Sequence, residues 1–491
     1  MNILLVYPKY PNTFWSFKYA LRFIRKGASY PPLGLLTVAA LLPEDWNLRL
    51  VDLNTRRLRK NHINWADYVF ISAMSIQDQS VRDIVKVCQE AGKKIVAGGP
   101  LFSANPDKYP LIDHLVLDEA EHTLPEFLKD LKAGKAKRIY RSEDKPDIRK
   151  TPIPRWDLIN MKDYASMNIQ YSRGCPFNCE FCDIVSLYGR SPRTKTKDQV
   201  IRELDALYNR GWRGGVFFVD DNFIGNKKKL KEEILPAIRT WMQDHKYPFT
   251  FTTEASVNMA DDDDLMESMV RAGFRSVFLG IESPNEASLA ECNKTQNINR
   301  DLLASIKKIQ DKGMMVHGGF IVGFDSDHPG VFEGLIRFIE ESGIIVAMVG
   351  LLNAPRGTKL YKRLEKEKRL VKNMTGDNTD LSMNFIPKLD YRLLINGYKR
   401  VVASIYTPKA YYKRVINFLK DFNPGKGPSF RLDLAYVGAL LKSILVLGAL
   451  GKERIYFWKL FFWSLFRRPR LFPMAITYAI YGFHFRKIFK T

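Results

Sequence analysis

Residues 171–182 read Tyr171-Ser-Arg-Gly-Cys175-Pro-Phe-Asn-Cys179-Glu-Phe-Cys182. Three of the chain's five cysteines lie within eight residues, spaced C-x3-C-x2-C. Thiolates this close in a turn-forming segment can converge on one metal centre, and their number is informative. A structural zinc site takes four protein ligands, and ferredoxin-type iron–sulfur sites use four cysteines. Three thiolates leave one iron of a 4Fe-4S cluster with an open position where a substrate can chelate. Gly174 and Pro176 suit a loop wrapped around a cluster, and Phe181 would shield it from water. The alternatives are buried structural cysteines, or half a zinc site completed by a distant histidine.

Working outward, 491 residues are enough for two or three domains with substantial cores. Five cysteines, three of them clustered, do not form a disulfide framework, and an oxygen-sensitive cluster needs a reducing compartment. That predicts a cytoplasmic protein. The start, Met1-Asn-Ile-Leu-Leu-Val-Tyr-Pro, runs straight into a strand-like pattern, so no signal peptide is expected. The net charge of +23 implies attraction to polyanions, either nucleic acid or an anionic membrane.

Upstream of the cysteines, residues 1–150 alternate strand and helix patterns. Strands are expected at Ile3–Tyr7, Leu48–Asp52, Tyr68–Ala73, Lys94–Ala97 and His114–Leu117. Helical spacing covers Leu33–Leu42, Val81–Ala91 and Thr123–Ala133. Such units build an open parallel sheet, whose ligands bind beyond the carboxyl ends of the strands. The loops expected there are Asp52-Leu-Asn54, Ser72-Ala-Met-Ser75, Gly98-Gly-Pro100 and Asp118-Glu-Ala-Glu121. Gly98-Gly99 permits close backbone approach by a bulky ligand, though a plain turn reads the same way. A charged, Pro-rich stretch, Ser142 to Trp156, marks a domain boundary.

Downstream, strands are expected at Met167–Ser172, Gly215–Asp220, Phe249–Glu254, Ser276–Ile281, Met315–Val322 and Val346–Leu351. Amphipathic helices separate them: Lys197–Arg210, Lys227–Asp244, Asp261–Ala272, Arg300–Lys312 and Pro329–Ser342. The polar residues at the strand ends are Asp220-Asp221-Asn222, Glu254-Ala-Ser256, Glu282-Ser283 and Gly318-Gly319. Carboxylates there can pair with an ammonium group or ribose hydroxyls, and glycines can admit a ligand's backbone. Helix caps and turns use the same residue types. Cys88 reads as core, and Cys292 as structural or substrate-facing.

The cysteine stretch resembles the signature of radical S-adenosylmethionine (SAM) enzymes. Val219-Asp-Asp-Asn-Phe223 and Gly280-Ile-Glu-Ser283 resemble that family's strand-end motifs. The resemblance implies an α/β chain in which an open-sheet, Rossmann-like domain precedes a partial (β/α)6 barrel and a helical C-terminal region. It implies a 4Fe-4S cluster on Cys175, Cys179 and Cys182. SAM contacts are expected from Phe181, Asp220, Asp221, Glu254, Ser256 and Glu282. Tyr30-Pro-Pro-Leu-Gly-Leu-Leu36, the third loop, Gly98-Gly99 and Glu119-x-Glu121 resemble the cobalamin domain of cobalamin-dependent members. Pro32, Leu33, Ser72, Met74, Ser75, Gly98, Gly99, Glu119 and Glu121 are therefore expected cobalamin contacts. No Asp-x-His-x-x-Gly string is present, and His62 lies in a polar stretch, so no protein histidine is expected beneath the cobalt.

In such enzymes a reduced cluster cleaves SAM to a 5′-deoxyadenosyl radical, which takes hydrogen from an unactivated carbon. The substrate radical then accepts a methyl group from methylcobalamin. The expectation is a C-methyltransferase supplied with electrons by a flavodoxin or ferredoxin. A non-methylating C–C or ring rearrangement, or an RNA-modifying radical enzyme, are the alternatives.

Beyond Asn353-Ala-Pro-Arg-Gly-Thr-Lys-Leu-Tyr361, Glu365–Tyr412 reads as helical with a polar interruption at Asn373–Asn384, and Asn423–Pro428 as a linker. Leu434–Gly451, Ile455–Phe466 and Leu471–Phe485 are apolar and aromatic. From Phe430 onward eleven Lys/Arg stand against two acids. None of these stretches reaches the ~20 uninterrupted apolar residues of a comfortable span. Aromatic and basic residues interleaved on short helices suit docking at a membrane surface, and argue against nucleic acid. The expected domains are 1–150 (cobalamin), 151–360 (radical SAM), 361–428 (helical) and 429–491 (a membrane-associating tail on the inner face of the cell membrane). Thr13-Phe-Trp-Ser-Phe17, Asp220-Asp-Asn-Phe-Ile-Gly-Asn226, Glu291-Cys-Asn-Lys294 and Gly318-Gly-Phe-Ile-Val-Gly-Phe-Asp325 resemble the hopanoid C-2 methyltransferase subgroup, which implies a lipid substrate.

Overall fold

The computed structural model describes residues 1–424 and 434–490. Two parallel six-stranded sheets form its frame. The first holds β1 (Asn2–Tyr7), β2 (Asn47–Asp52), β3 (Tyr68–Ser72), β4 (Lys94–Gly98), β5 (His114–Val116) and β6 (Ile139–Tyr140). Their order is β2-β1-β3-β4-β5-β6, so the winding direction reverses between β1 and β3. Central strands such as β1 and β4 are continuously buried Val, Ile, Leu and Ala, as strands covered by helices on both faces must be. Two helices matter for the site: α1 (Leu33–Leu41) after β1 and α2 (Ala120–Lys132) after β5. The sequence reading missed β6, whose two residues are too few to show a pattern.

The predicted strand Met167–Ser172 is broken in two. β7 (Met167–Ile169) joins the second sheet, while β8 (Ser172–Arg173) pairs antiparallel with β9 (Arg193–Thr194). The break lifts the cysteine loop out of the sheet. The remaining strands are β10 (Gly214–Phe218), β11 (Phe249–Ala255), β12 (Phe274–Glu282), β13 (Met315–Val322) and β14 (Ala347–Leu351). The order β7-β10-β11-β12-β13-β14 adds each strand beside the last, as in a segment of a (β/α) barrel.

The Pro-rich stretch between the sheets is strapped down. Thr151 Oγ1 donates to Glu121 Oε1 at 2.9 Å, the Arg155 amide donates to the Leu36 carbonyl at 3.1 Å, and Arg193 donates to the Pro146 carbonyl at 2.9 Å.

After β14 come α3 (Lys359–Lys366), α4 (Tyr391–Tyr406) and α5 (Pro408–Asp421). The predicted Glu365–Tyr412 helix is corrected here, because residues 367–390 are not helical. Thr407 and Pro408 also divide its second half, Thr407 capping α5 through the Ala410 amide. The linker expected at Asn423–Pro428 falls for its greater part outside the described residues. The final helices are α6 (Leu434–Ser443), which continues as a π-helical turn to Ala449, α7 (Arg454–Arg467) and α8 (Phe472–Phe489). Among the described residues no helix is long and apolar enough to cross a membrane.

The tail was expected to lie on a surface, and for α8 the structure corrects this. Phe485 is buried and stacks on Phe14 at 4.3 Å, Tyr411 Oη donates to the Tyr478 carbonyl, and His484 Nε2 meets the Phe14 carbonyl at 2.8 Å. A buried aromatic ring contributes roughly 2–3 kcal/mol, which α8 spends on the protein core. Burial holds His484 down at about 4, so it stays neutral.

Candidate active site

The cysteine loop begins at Gly174, whose φ of +92° is open to glycine. A Cβ there would meet the Gly189 carbonyl at 2.9 Å, so only glycine lets the two chain passages close. The predicted strand-end carboxylates turn out to brace this loop. Asp220 accepts the Tyr171 amide at 3.3 Å and also the Ser172 amide, and Asp221 accepts the Gly174 amide at 2.7 Å. Asn222 Nδ2 lies 3.7 Å from Cys175 Sγ and 3.2 Å from Ser256 Oγ. Gln296 Nε2 approaches Cys179 Sγ at 3.9 Å.

The loop is clasped from its other side by Glu291-Cys-Asn-Lys294. The Glu180 amide donates to the Cys292 carbonyl at 2.8 Å, and Asn293 Nδ2 donates to the Asn178 carbonyl at 3.0 Å. Cys292 is thereby structural: it is buried, and its thiol donates to the Leu289 carbonyl. Lys294 reaches in to bond Glu282 Oε1 at 2.6 Å, beside Cys179 and Cys182. On the outside, Arg363 of α3 makes a two-pronged pair with Glu180 at 2.8 and 3.0 Å. Phe181 packs edge-on to Phe324, with ring centroids 6.3 Å apart. Gln296 and Arg363 were not foreseen, since a single polar residue far along the chain carries no local signal, and Lys294 was noted only within Glu291-Cys-Asn-Lys294 without a role of its own.

Cys175 and Cys182 are half-buried and Cys179 is buried; none forms a disulfide. Among the described residues no three His, Cys, Asp or Glu side chains converge on a single ion. Lys294 supplies the positive charge that three thiolates need. The donor set therefore fits a 4Fe-4S cluster.

Beside this loop the barrel segment is open inside. On β10 to β14 the residues facing the helices are buried, whereas those facing inward keep accessible surface. These inward residues include Phe217, Thr252, Glu254, Phe278, His317 and Met348. The register sets Glu254, Phe278 and His317 side by side on adjacent strands. Glu254 and His317 both keep part of their side-chain surface accessible. Burial raises Glu254 to about 7, helped by Asp221 and Asp220, and its carboxylate makes no hydrogen bond or ion pair among the described residues. Burial lowers His317 to about 4. Of the expected SAM contacts, only Glu254 presents an unengaged carboxylate. Glu282 is paired, and Ser256 bonds Asn222 and Asn258. Gly319 does not admit a ligand: a Cβ there would strike the Phe278 ring at 2.7 Å.

Trp15 and Tyr30, in the segments that follow β1, pack against Phe278 and Phe217 of the second sheet, and the carboxyl ends of β1 and β3 lie on that edge. They form the winding switch point, where open α/β sheets bind their ligands. Trp15, Tyr30 and Met74 remain 36%, 37% and 42% exposed there. Pro32 caps α1, Leu33 opens it, and Gly34 faces open space. A row of apolar side chains beside an uncrowded helix start suits a broad, flat cofactor such as a corrin. Trp15 meets Phe278 edge-on at 5.4 Å and Tyr30 meets Phe217 at 5.2 Å, so this edge closes over the lumen.

Other predicted contacts serve the fold. A Cβ on Gly98 would strike the Val116 carbonyl at 2.5 Å. One on Gly99, whose φ is +93°, would press on Ser72 and Ala73. Ser75 is covered by Gly376 from the C-terminal region. Glu119 and Glu121 are paired with Arg173 at 2.7 Å each, and Glu119 also with Arg193 at 2.7 Å. His62 is half-buried and accepts the Arg59 amide within its own helix.

Residues 23–128 match a B12 binding domain, residues 169–339 the radical SAM superfamily, and residues 358–491 a domain of unknown function. The chain is 42% identical to an uncharacterised methyltransferase of Synechocystis sp., over 99% of this chain and 91% of that one. It is 35% identical to the hopanoid C-2 methylase of Rhodopseudomonas palustris, over 93% of this chain and 88% of that one. Its fold is that of the cobalamin-dependent S-adenosylmethionine radical enzyme OxsB, with a TM-score of 0.62, 14% identity and coverage of 100% and 79% of the two chains. The chain belongs to the cobalamin-dependent radical SAM methyltransferases, which use a 4Fe-4S cluster, S-adenosyl-L-methionine and cobalamin.

Proposed function

We propose that this enzyme methylates an unactivated carbon of an apolar membrane lipid, with C-2 of a hopanoid as the first candidate. The observation that carries this reading is the 35% identity to the hopanoid C-2 methylase, which extends over 93% of the chain and 88% of that enzyme. The lumen supports it: Phe217, Phe278 and Met348 offer apolar walls, and His317 is held neutral, so a ring system without charge meets no unpaired cation.

In this reading Cys175, Cys179 and Cys182 hold the cluster, and Glu254 takes the ammonium or ribose of SAM. The carboxyl edge around Pro32, Leu33, Ser72 and Met74 takes cobalamin without a protein histidine beneath it. Cluster, SAM and cobalamin together supply radical hydrogen abstraction and methyl delivery. The chain's own residues orient them and keep water out, Trp15 and Tyr30 closing the lumen from the side of the first sheet. Residues 1–150, 151–360, 361–428 and 429–491 divide the work. The enzyme operates in the cytoplasm at the inner face of the cell membrane, with a flavodoxin or ferredoxin as electron donor.

The test is expression in a hopanoid-producing strain lacking its own C-2 methylase, fed methionine carrying a deuterated methyl group. A hopanoid heavier by one labelled methyl is expected, and Cys179→Ala should abolish it. Unlabelled hopanoids alongside a different labelled lipid would move the substrate, and no labelled lipid at all would overturn the lipid reading.

A further inference from the structure

The last three helices separate into two chemistries. α8 is committed to the core, as shown above. α6, its π-helical turn and α7 form a hairpin closed by Trp458 Nε1 donating to the Gly448 carbonyl at 3.0 Å. Its outer side is not covered. Leu441 and Leu445 stand exposed one turn apart, and Leu450, Ile455 and Phe466 are each 75% exposed. Phe462 stacks parallel to both Trp458 and Phe466, so the stripe along α7 is continuous. A contiguous apolar patch of this kind on a protein surface marks an interaction site.

Charge names the partner. Lys442, Lys452, Arg454, Lys459, Arg467 and Arg470 are all exposed along the same hairpin. Its single acid, Glu453, is buried and paired with Arg486 at 2.9 Å. Exposed leucines and phenylalanines bracketed by six cations, with no exposed anion among residues 436–470, match acyl chains lying under anionic headgroups. Nor can the hairpin go deeper. The fourteen residues of α7 make about 21 Å, short of the roughly 30 Å hydrocarbon core.

The hairpin also stands at the outer end of a line of rings that begins in the lumen. Phe278 meets Trp15 at 5.4 Å, Trp15 meets Phe17 at 6.3 Å, and Phe17 meets Tyr481 of α8 at 4.9 Å. Tyr436 on α6 lies close enough to Tyr481 to disfavour its ionisation, after burial itself.

We propose that the outer face of the α6–α7 hairpin is the surface by which this enzyme lies on an anionic bilayer, with Phe462 and Phe466 among the acyl chains and Arg467 and Arg470 on lipid phosphates. This deepens the lipid-substrate reading, because the docked face then delivers an apolar molecule to the ring-lined side of the lumen. It stands or falls separately from that reading, because docking needs no substrate.

The experiment is flotation of the full-length, cofactor-loaded enzyme with vesicles of phosphatidylcholine, with or without phosphatidylglycerol. Binding is expected only with phosphatidylglycerol and should weaken with salt. Each cation near an anionic surface is worth about fivefold in binding. The double variant Arg467→Glu/Arg470→Glu should therefore lose at least tenfold, and Phe462→Ser/Phe466→Ser a comparable amount. Both variants should keep the iron–sulfur absorbance and the slow formation of 5′-deoxyadenosine from SAM alone, which excludes unfolding as the cause. Equal flotation of wild type and variants overturns the proposal, as does equal binding to pure phosphatidylcholine. A concentration-dependent dimer in sedimentation velocity that Phe462→Ser/Phe466→Ser abolishes would also overturn it, giving the face to a second copy. Docking with no labelled lipid in the feeding experiment would instead leave the face intact and fail only the substrate reading.

Discussion

Arg173 Nη2 lies 2.7 Å from Glu121 Oε1, so the residue two before the first thiol is tied to the helix that follows the fifth strand of the other sheet. Nη1 of the same guanidinium holds Glu119 at 2.7 Å, and all three side chains are almost wholly shielded from water. The cysteine loop is thus tied to the carboxyl edge of the first sheet by Arg173, with Arg193 reinforcing the hold on Glu119. Replacing Arg173 leaves the shielded Glu121 carboxylate without a cation, while Glu119 keeps Arg193. Arg173→Met should lower stability by about 3–5 kcal/mol in chemical denaturation, the usual consequence of stranding a buried charge. Adding Glu121→Gln to Arg173→Met should restore part of the loss, and no restoration would mean that packing rather than charge holds the loop.

The same pair makes stability depend on pH. Burial alone would raise the Glu121 carboxyl, but the charge and hydrogen bonds of Arg173 outweigh it and hold the group at about 2, against an ordinary 4.5. A folded value below the unfolded one contributes stability that is complete above pH ~4.5 and is lost as pH falls toward ~2, about 3 kcal/mol in all. Unfolding curves of wild type and Glu121→Gln should therefore converge across that window. Parallel curves would show the group to be unperturbed.

Lys294 places a cation beside Cys179 and Cys182 and bonds Glu282 at 2.6 Å. A nearby positive charge favours the reduced, more negative cluster, so Lys294→Met should lower its reduction potential while Lys294→Arg largely preserves it. An EPR-monitored redox titration reads this directly. A potential that rises in Lys294→Met would contradict the placement.

Two glycines should respond in opposite ways to the same methyl group. Gly319→Ala sets a Cβ 2.7 Å from the Phe278 ring and should cost about 1–3 kcal/mol in thermal unfolding while pushing that ring into the lumen. Gly34 lies in the first turn of α1 with open space beyond it. Gly34→Ala should stabilise the chain without cofactor by up to about 1 kcal/mol, and weaken its retention of cobalamin, read by absorbance after gel filtration.

Much of this molecule was legible along the chain. Apolar runs and period-two alternation let ten of the parallel strands be placed within a residue or two, and C-x3-C-x2-C pointed to its chemistry by ligand count together with its resemblance to the radical SAM signature. Those signals are local, because side-chain period and thiolate spacing are set by covalent geometry. The break of Met167–Ser172 into β7 and β8 was not legible, since pairing of Arg173 with Arg193 depends on a segment twenty residues away.

The sequence by itself determined that a three-thiolate loop heads a barrel segment behind an open sheet, and that the C-terminal end is aromatic and basic. Tertiary structure decided what those residues do. It turned Asp220, Asp221 and Glu282 to the bracing of the cysteine loop and left Glu254 facing the lumen alone. It enlisted Glu291-Cys-Asn-Lys294 as a clasp. It also divided one apolar tail into a helix for the core and a hairpin for the surface. A carboxylate at a strand end or a phenylalanine in a helix reads identically in either role. Which one it takes depends on which donors, cations and rings the rest of the chain brings within reach, and the loop around Cys175, Cys179 and Cys182 is where most of them meet.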